Sequence, residues 1–118
     1  MAKLEIGVGS LKKAAAEFVK TARALEKGAA IRPREQLFFA DMPTLLKTLT
    51  GERWRLVETL KRSGPLSINA VARQLVRNYK NVHGDVKKLM EIGLVERQDD
   101  GRVCIPYGSI VAELKMAA

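Results

Sequence analysis

Residues 77–88 read Arg-Asn-Tyr-Lys-Asn-Val-His-Gly-Asp-Val-Lys-Lys, gathering two amides, one imidazole and four cationic groups around a single carboxylate. An asparagine amide can pair with the edge of adenine through two hydrogen bonds, and a lysine ammonium donates to guanine acceptors or phosphate oxygens. The chemistry on offer is recognition of a polyanion with readable edges, not bond making. Widening the window to 73–88 adds Arg73, so five cations face only Asp85. That local +4 is half of the chain's formal charge of +8, which arises from 21 Lys and Arg against 13 Asp and Glu.

The residues that catalysis would need are scarce. Among 118 residues there is one histidine, His83, and one cysteine, Cys104. A disulfide framework and a zinc site built within one chain are both excluded. Cys104 alternates with Val103 and Ile105 in a strand-like segment while His83 falls in a helical one, so the two do not form a nucleophilic pair. His83 stands two residues from Asp85, and contact with a base or phosphate is its simplest use. The run Gly7-Val8-Gly9-Ser10 lies between a strand and a helix pattern, but it lacks the spacing, third glycine and acidic partner of a phosphate-binding loop. The expectation is a non-enzyme with no catalytic, metal or cofactor residues. No apolar run approaches the roughly 20 residues that span a bilayer, and no leader pattern opens the chain. A soluble, cytoplasmic protein follows as the expectation.

The elements that must position these residues can be read from periodicity. Lys3 to Val8 alternates polar and apolar residues and predicts a strand. Ser10 then caps an amphipathic helix with Leu11, Ala14, Ala15, Phe18, Val19, Ala22 and Leu25 on one side, ended by Gly28. Alanine dominates that apolar face, which disfavours membrane binding. Ala29 to Glu35 is a connector, Gln36 to Ala40 a second strand, and Asp41 caps a short helix with Leu45, Leu46 and Leu49 inward and Gly51 as its stop. Trp54, Leu56, Val57 and Leu60 define a helix over 52–62 that Ser63-Gly64-Pro65 terminates. Ser67 caps a second, with Ile68, Val71, Ala72 and Leu75 buried. Tyr79, Val82, Val86, Leu89 and Met90 recur at helical spacing in a third, which runs to Gly93 with Tyr79, Val82, Val86 and Leu89 inward. Residues 94–97 and 102–105 form a hairpin turned by Asp99-Asp100-Gly101, and Tyr107 to Met116 reads as a closing helix.

Three helices with a tight link between the second and third, followed by a two-stranded hairpin, give the order of a winged helix-turn-helix. In such a module the third helix enters the major groove, so its outward set, Asn78, Lys80, Asn81, His83, Gly84, Lys87 and Lys88, faces base edges and backbone. Gly84 costs about 1 kcal/mol of helix stability relative to Ala, which a close approach to DNA would justify. Ser67 can offer its hydroxyl and neighbouring N–H groups to a phosphate. Arg77 and Lys88 are placed on phosphates. Arg97 and Arg102 flank the hairpin tip, where Asp99 and Asp100 argue for backbone contact only.

Residues 44–111 resemble small prokaryotic winged-helix transcriptional regulators of MarR-like type. The likeness is carried by Leu49-Thr50-Gly51-Glu52-Arg53-Trp54, Gly64-Pro65-Leu66-Ser67, Val71-Ala72, the run from Arg77 to Val86, Gly93-Leu94-Val95-Glu96 and Val103 to Tyr107. Its most specific part, Tyr79 to Glu96, is similar to archaeal and bacterial DNA-binding proteins with a Lys-Asn-Val-His-x-Asp-Val core. Gly84 stands where such proteins often carry a basic residue. The resemblance implies a dimeric, sequence-specific repressor of double-stranded DNA. Some similar regulators accompany a toxin as its antitoxin, which makes a toxin protein the alternative partner. The expected architecture is α+β: an N-terminal strand-helix-strand extension over 1–42, for dimerisation or partner binding, then a winged helix-turn-helix with a C-terminal helix over 43–118. Its recognition helix is 78–92 and its wing 97–103.

Overall fold

The computed structural model describes residues 2–9 and 34–114. The expected Ser10 cap, the helix ending at Gly28 and the connector as far as residue 33 lie outside them. The described elements are β1 (Lys3–Val8), β2 (Arg34–Phe39), α1 (Met42–Thr48), α2 (Gly51–Ser63), α3 (Ile68–Leu75), α4 (Tyr79–Glu91), β3 (Glu96–Arg97), β4 (Val103–Cys104) and β5 (Ser109–Glu113). They fall into two compact units, Met1–Thr48 with Tyr107–Ala118, and Leu49–Pro106.

In the first unit the strand order is β2-β1-β5, with both outer strands parallel to β1. The register aligns Leu4 with Glu35 and Ile110, Ile6 with Leu37 and Ala112, and Val8 with Phe39. Aligned residues share a face of the pleat, and Leu4, Ile6 and Phe39 are the buried members. The Tyr107 hydroxyl donates to the Glu35 carboxylate at 2.8 Å. On the opposite face a Cβ at Gly7 would sit 3.3 Å from the Phe38 ring, so glycine lets that ring lie against β1. The carboxylate of Asp41 accepts the Thr44 N–H at 2.8 Å and caps α1 as its sequence predicts. Hydrogen bonds from the Thr44 hydroxyl and N–H hold Asp41 below the usual aspartate range. Leu45 is buried, but Leu46 is exposed because one residue on a helix turns the side chain about 100° away from its neighbour.

Where a closing helix is expected over 107–116, the described residues, as far as 114, hold strand β5 over Ser109–Glu113 instead. Ile110 and Val111 are β-branched, stiff at χ1 and suited to a pleated surface. The edge of β1 supplies their ladder, from Lys3 opposite Ser109 to Gly7 opposite Glu113.

In the second unit Thr50 caps α2 by accepting the Arg53 N–H at 3.3 Å. Gly51, expected to stop the preceding helix, opens this one. The α2 helix ends at Gly64, whose φ of 83° suits glycine and whose N–H reaches the Leu60 carbonyl at 2.9 Å. Ser67 caps α3 by accepting the Ala70 N–H at 3.1 Å. The core joins Leu56, Val57 and Leu60 of α2, Val71 of α3, Val82, Val86 and Leu89 of α4, and Leu94 and Val103 beyond them. Each such fully buried aliphatic side chain contributes about 1.5–3 kcal/mol relative to an exposed one.

The hairpin follows its turn chemistry. The Gln98 N–H donates to the Arg102 carbonyl at 2.8 Å and the Gly101 N–H to the Gln98 carbonyl at 3.0 Å, with Gly101 at φ 88°. This is a three-residue hairpin loop with glycine at its left-handed position. The strands β3 and β4 are shorter than the expected 94–97 and 102–105; the Leu94 and Val95 N–H groups bond back to the Leu89 carbonyl at the end of α4, at 2.9 and 3.3 Å, and do not join the ladder. Leu66 exchanges backbone hydrogen bonds of 2.8 and 3.1 Å with Val103 and adds a one-residue third strand position to the wing.

Candidate nucleic-acid interface

The link between α3 and α4 is Val76-Arg77-Asn78. Val76 takes φ 52° and ψ 50°, and the Arg77 N–H bonds back to the Ala72 carbonyl at 3.0 Å, so the chain reverses within three residues. Asn78 accepts the Lys80 N–H on its Oδ1 at 2.8 Å and starts α4. Its side-chain oxygen is therefore engaged in capping, whereas the sequence offered Asn78 as a base reader.

Burial of Val82, Val86 and Leu89 fixes the rotation of α4. The opposite side then displays Lys80, Asn81, His83, Gly84, Lys87 and Lys88, all exposed. Nothing lies within 4 Å of a Cβ placed on Gly84. Lys88 approaches the Glu91 carboxylate at 3.8 Å, a loose contact between exposed groups. Ser67 is exposed at the start of α3 with its hydroxyl oxygen occupied by the cap. Arg97 is exposed on β3. At the wing tip Arg102 donates its Nε to Asp100 at 2.7 Å and its N–H at 3.0 Å. The backbone N–H, and then the guanidinium, of Arg102 hold Asp100 below the usual aspartate range. The positive charge of Arg102 is thus answered within the wing.

Arg77 departs from its expected place on a phosphate. Its Nη2 lies 2.8 Å from Asp85 and 2.9 Å from Glu52, with only 18% of the side chain exposed. Its Nη1 is buried with no hydrogen-bond partner. Asp85, at 16% exposure, also accepts from Arg53 Nε at 3.1 Å. The only carboxylate within 73–88 is consequently turned away from the outward face and held between two guanidinium groups, not beside His83. Arg77 and Asp85 cancel, and the four remaining cations, Arg73, Lys80, Lys87 and Lys88, are exposed.

Tyr79 was expected inward and is 48% exposed, its ring 5.9 Å from that of His83 at a tilt of 40°. Helical side chains lean towards the N-terminus, and the first residue of a helix has no preceding turn to cover. That boundary effect was the missed signal. Val76, 89% exposed, likewise escaped notice because it sits between two apolar periodicities.

Among the described residues no cluster of His, Cys, Asp or Glu could hold a metal ion, and no helix is long and apolar enough to cross a membrane. Three packed helices, a tight turn before the third and a hairpin after it define a winged helix-turn-helix. A sequence profile of the HVO_A0114 family matches residues 48–112, more than half of the chain, and the chain belongs to that family. Among solved structures it is similar to the multiple antibiotic-resistance repressor (MarR) from Listeria monocytogenes 4b F2365, with a TM-score of 0.48 and 16% identity over 81% of this chain. The chain spans 64% of that repressor's length. No curated protein matches.

Proposed function

We propose that this chain is a sequence-specific, double-stranded-DNA-binding transcriptional regulator, acting as a homodimeric repressor, with α4 in the major groove and the wing on the backbone. The observation that carries this reading is the outward side of the α3–α4 pair. Over residues 73–88 it presents four exposed cations and the amide of Asn81, while the single carboxylate of that stretch, Asp85, is sequestered by Arg53 and Arg77. An α-helix fits the major groove, and residues near its N-terminus reach base edges. Lys80, Asn81 and His83 take that role, and Gly84 permits close approach. Lys87, Lys88 and Arg97 take phosphates, and the N-terminus of α3 at Ser67 adds a weaker phosphate contact. Arg102 contributes less because Asp100 holds it, and Arg77 serves the interior. Val111 and Leu114, exposed in and after β5, offer apolar surface to a second copy. Among the described residues no feature favours the antitoxin alternative.

The test is selection of binding sites from a random double-stranded pool by the full chain, followed by fluorescence anisotropy at several salt concentrations. If Lys87, Lys88 and Arg97 of one copy each neutralise a phosphate, the slope of log affinity against log salt is about −3 per copy. Sizing of the complex is expected to show two copies per site. Failure to enrich any sequence contradicts the reading. The repressor role predicts less transcript from a promoter carrying the selected site when the protein is added.

A further inference from the structure

Within the unit Leu49–Pro106 two large apolar side chains are exposed, Val76 at 89% and Tyr79 at 48%. They bracket Asn78 at the leading end of α4. Every other large apolar residue of that unit is buried or half-buried, so the concentration of both at one place needs a cause. Val76 sharpens the question, because a β-branched residue at φ 52° is strained where glycine would not be. Local conformation alone argues against valine there. Its side chain is the reason left for its presence.

The surroundings restrict what such an apolar pair can meet. Arg73 precedes it, Lys80 follows it, and Lys87 and Lys88 lie further along α4, all exposed. The occupant must therefore be anionic overall yet present apolar groups at its surface. Double-stranded DNA does so at the C5-methyl group of thymine, which projects into the major groove and marks A·T pairs by apolar contact. His83, packed against the Tyr79 ring, helps to hold that ring in place. We infer that Val76 and Tyr79 form an apolar reader that selects thymine at defined positions of the bound site, beside the hydrogen-bonding groups of Lys80 and Asn81. The inference rests on the DNA-binding reading above and names two contact residues that it lacked.

The experiment uses the full chain and sites recovered from a random double-stranded pool. Each thymine is replaced in turn by deoxyuridine, which keeps every hydrogen-bonding group and removes only the methyl. At one or more positions the wild-type chain is expected to lose about fourfold in affinity, the transfer value of one buried methyl-sized group. Tyr79→Ala or Val76→Ala is expected to bind the thymine and deoxyuridine forms of that site equally, whereas Tyr79→Phe keeps the discrimination. Circular dichroism matching the wild type establishes that the variants are folded. Indifference of the wild-type chain to every deoxyuridine, or discrimination that persists in both alanine variants, overturns the inference while leaving DNA binding intact. Recovery of no site at all overturns the DNA-binding reading itself, and the apolar reader with it.

Discussion

Replacement of Asp85 by alanine removes the one carboxylate that Arg53 and Arg77 share. The two guanidinium groups are 20% and 18% exposed and lie 3.1 and 2.8 Å from it. Removing one partner of a fully buried pair costs about 3–5 kcal/mol, and a hydrogen bond to a charged group contributes about 1.5–3 kcal/mol. Partial exposure, and the Glu52 contact that Arg77 retains, place the expected cost at about 2–3 kcal/mol. Arg77→Met should behave differently. It leaves Asp85 paired with Arg53, keeps the apolar stem, and deletes the buried Nη1 that has no partner. Its expected cost is at most about 1 kcal/mol. Urea unfolding followed by the fluorescence of Trp54, the single tryptophan, which stands on α2 in the same unit, measures both. A cost below about 0.5 kcal/mol for Asp85→Ala, or a larger cost for Arg77→Met than for Asp85→Ala, would refute the reasoning that the carboxylate is the hub.

Three further outcomes follow from local geometry. Gly84→Ala adds a methyl to open space within α4, so it should raise stability by about 1 kcal/mol while weakening DNA binding; a lowered urea midpoint would contradict this. Val76→Gly relieves a left-handed cost of about 1–2 kcal/mol against an entropic loss of about 0.5–1 kcal/mol, so the free protein should gain stability and not lose it. The lowered titration of Asp100 means that its contribution to the wing turn is fully present above the ordinary aspartate value of 3.8 and fades as the pH falls from there through the folded value. The protection factor of the Arg102 amide, which donates to Asp100, should therefore fall only in acid, and Asp100→Asn should abolish that dependence on pH.

Elements governed by local rules were legible from the residues alone. The caps at Asp41 and Ser67, the stripe of Val82, Val86 and Leu89, and the glycine turn of the wing each depend on neighbours a few residues away. What escaped depends on distant partners or on boundaries. Ser109–Glu113 carries three consecutive apolar residues that fit a helix or a strand, and the choice is made by β1 at the other end of the chain. Arg77 looked like a phosphate contact because sequence spacing does not reveal Glu52 on α2 or the inward turn of Asp85. Leu46 and Tyr79 were misplaced by rotation and by helix start, where a shift of one residue moves a side chain from core to solvent.

The outward side of α4 as a DNA-reading surface is tested most directly by changing Lys80 and Asn81 together to alanine and titrating the full chain against its selected site. The prediction is a loss of at least about tenfold in specific affinity, with an unchanged urea midpoint. Unaltered affinity in the double variant would contradict the assignment of α4 as the recognition helix.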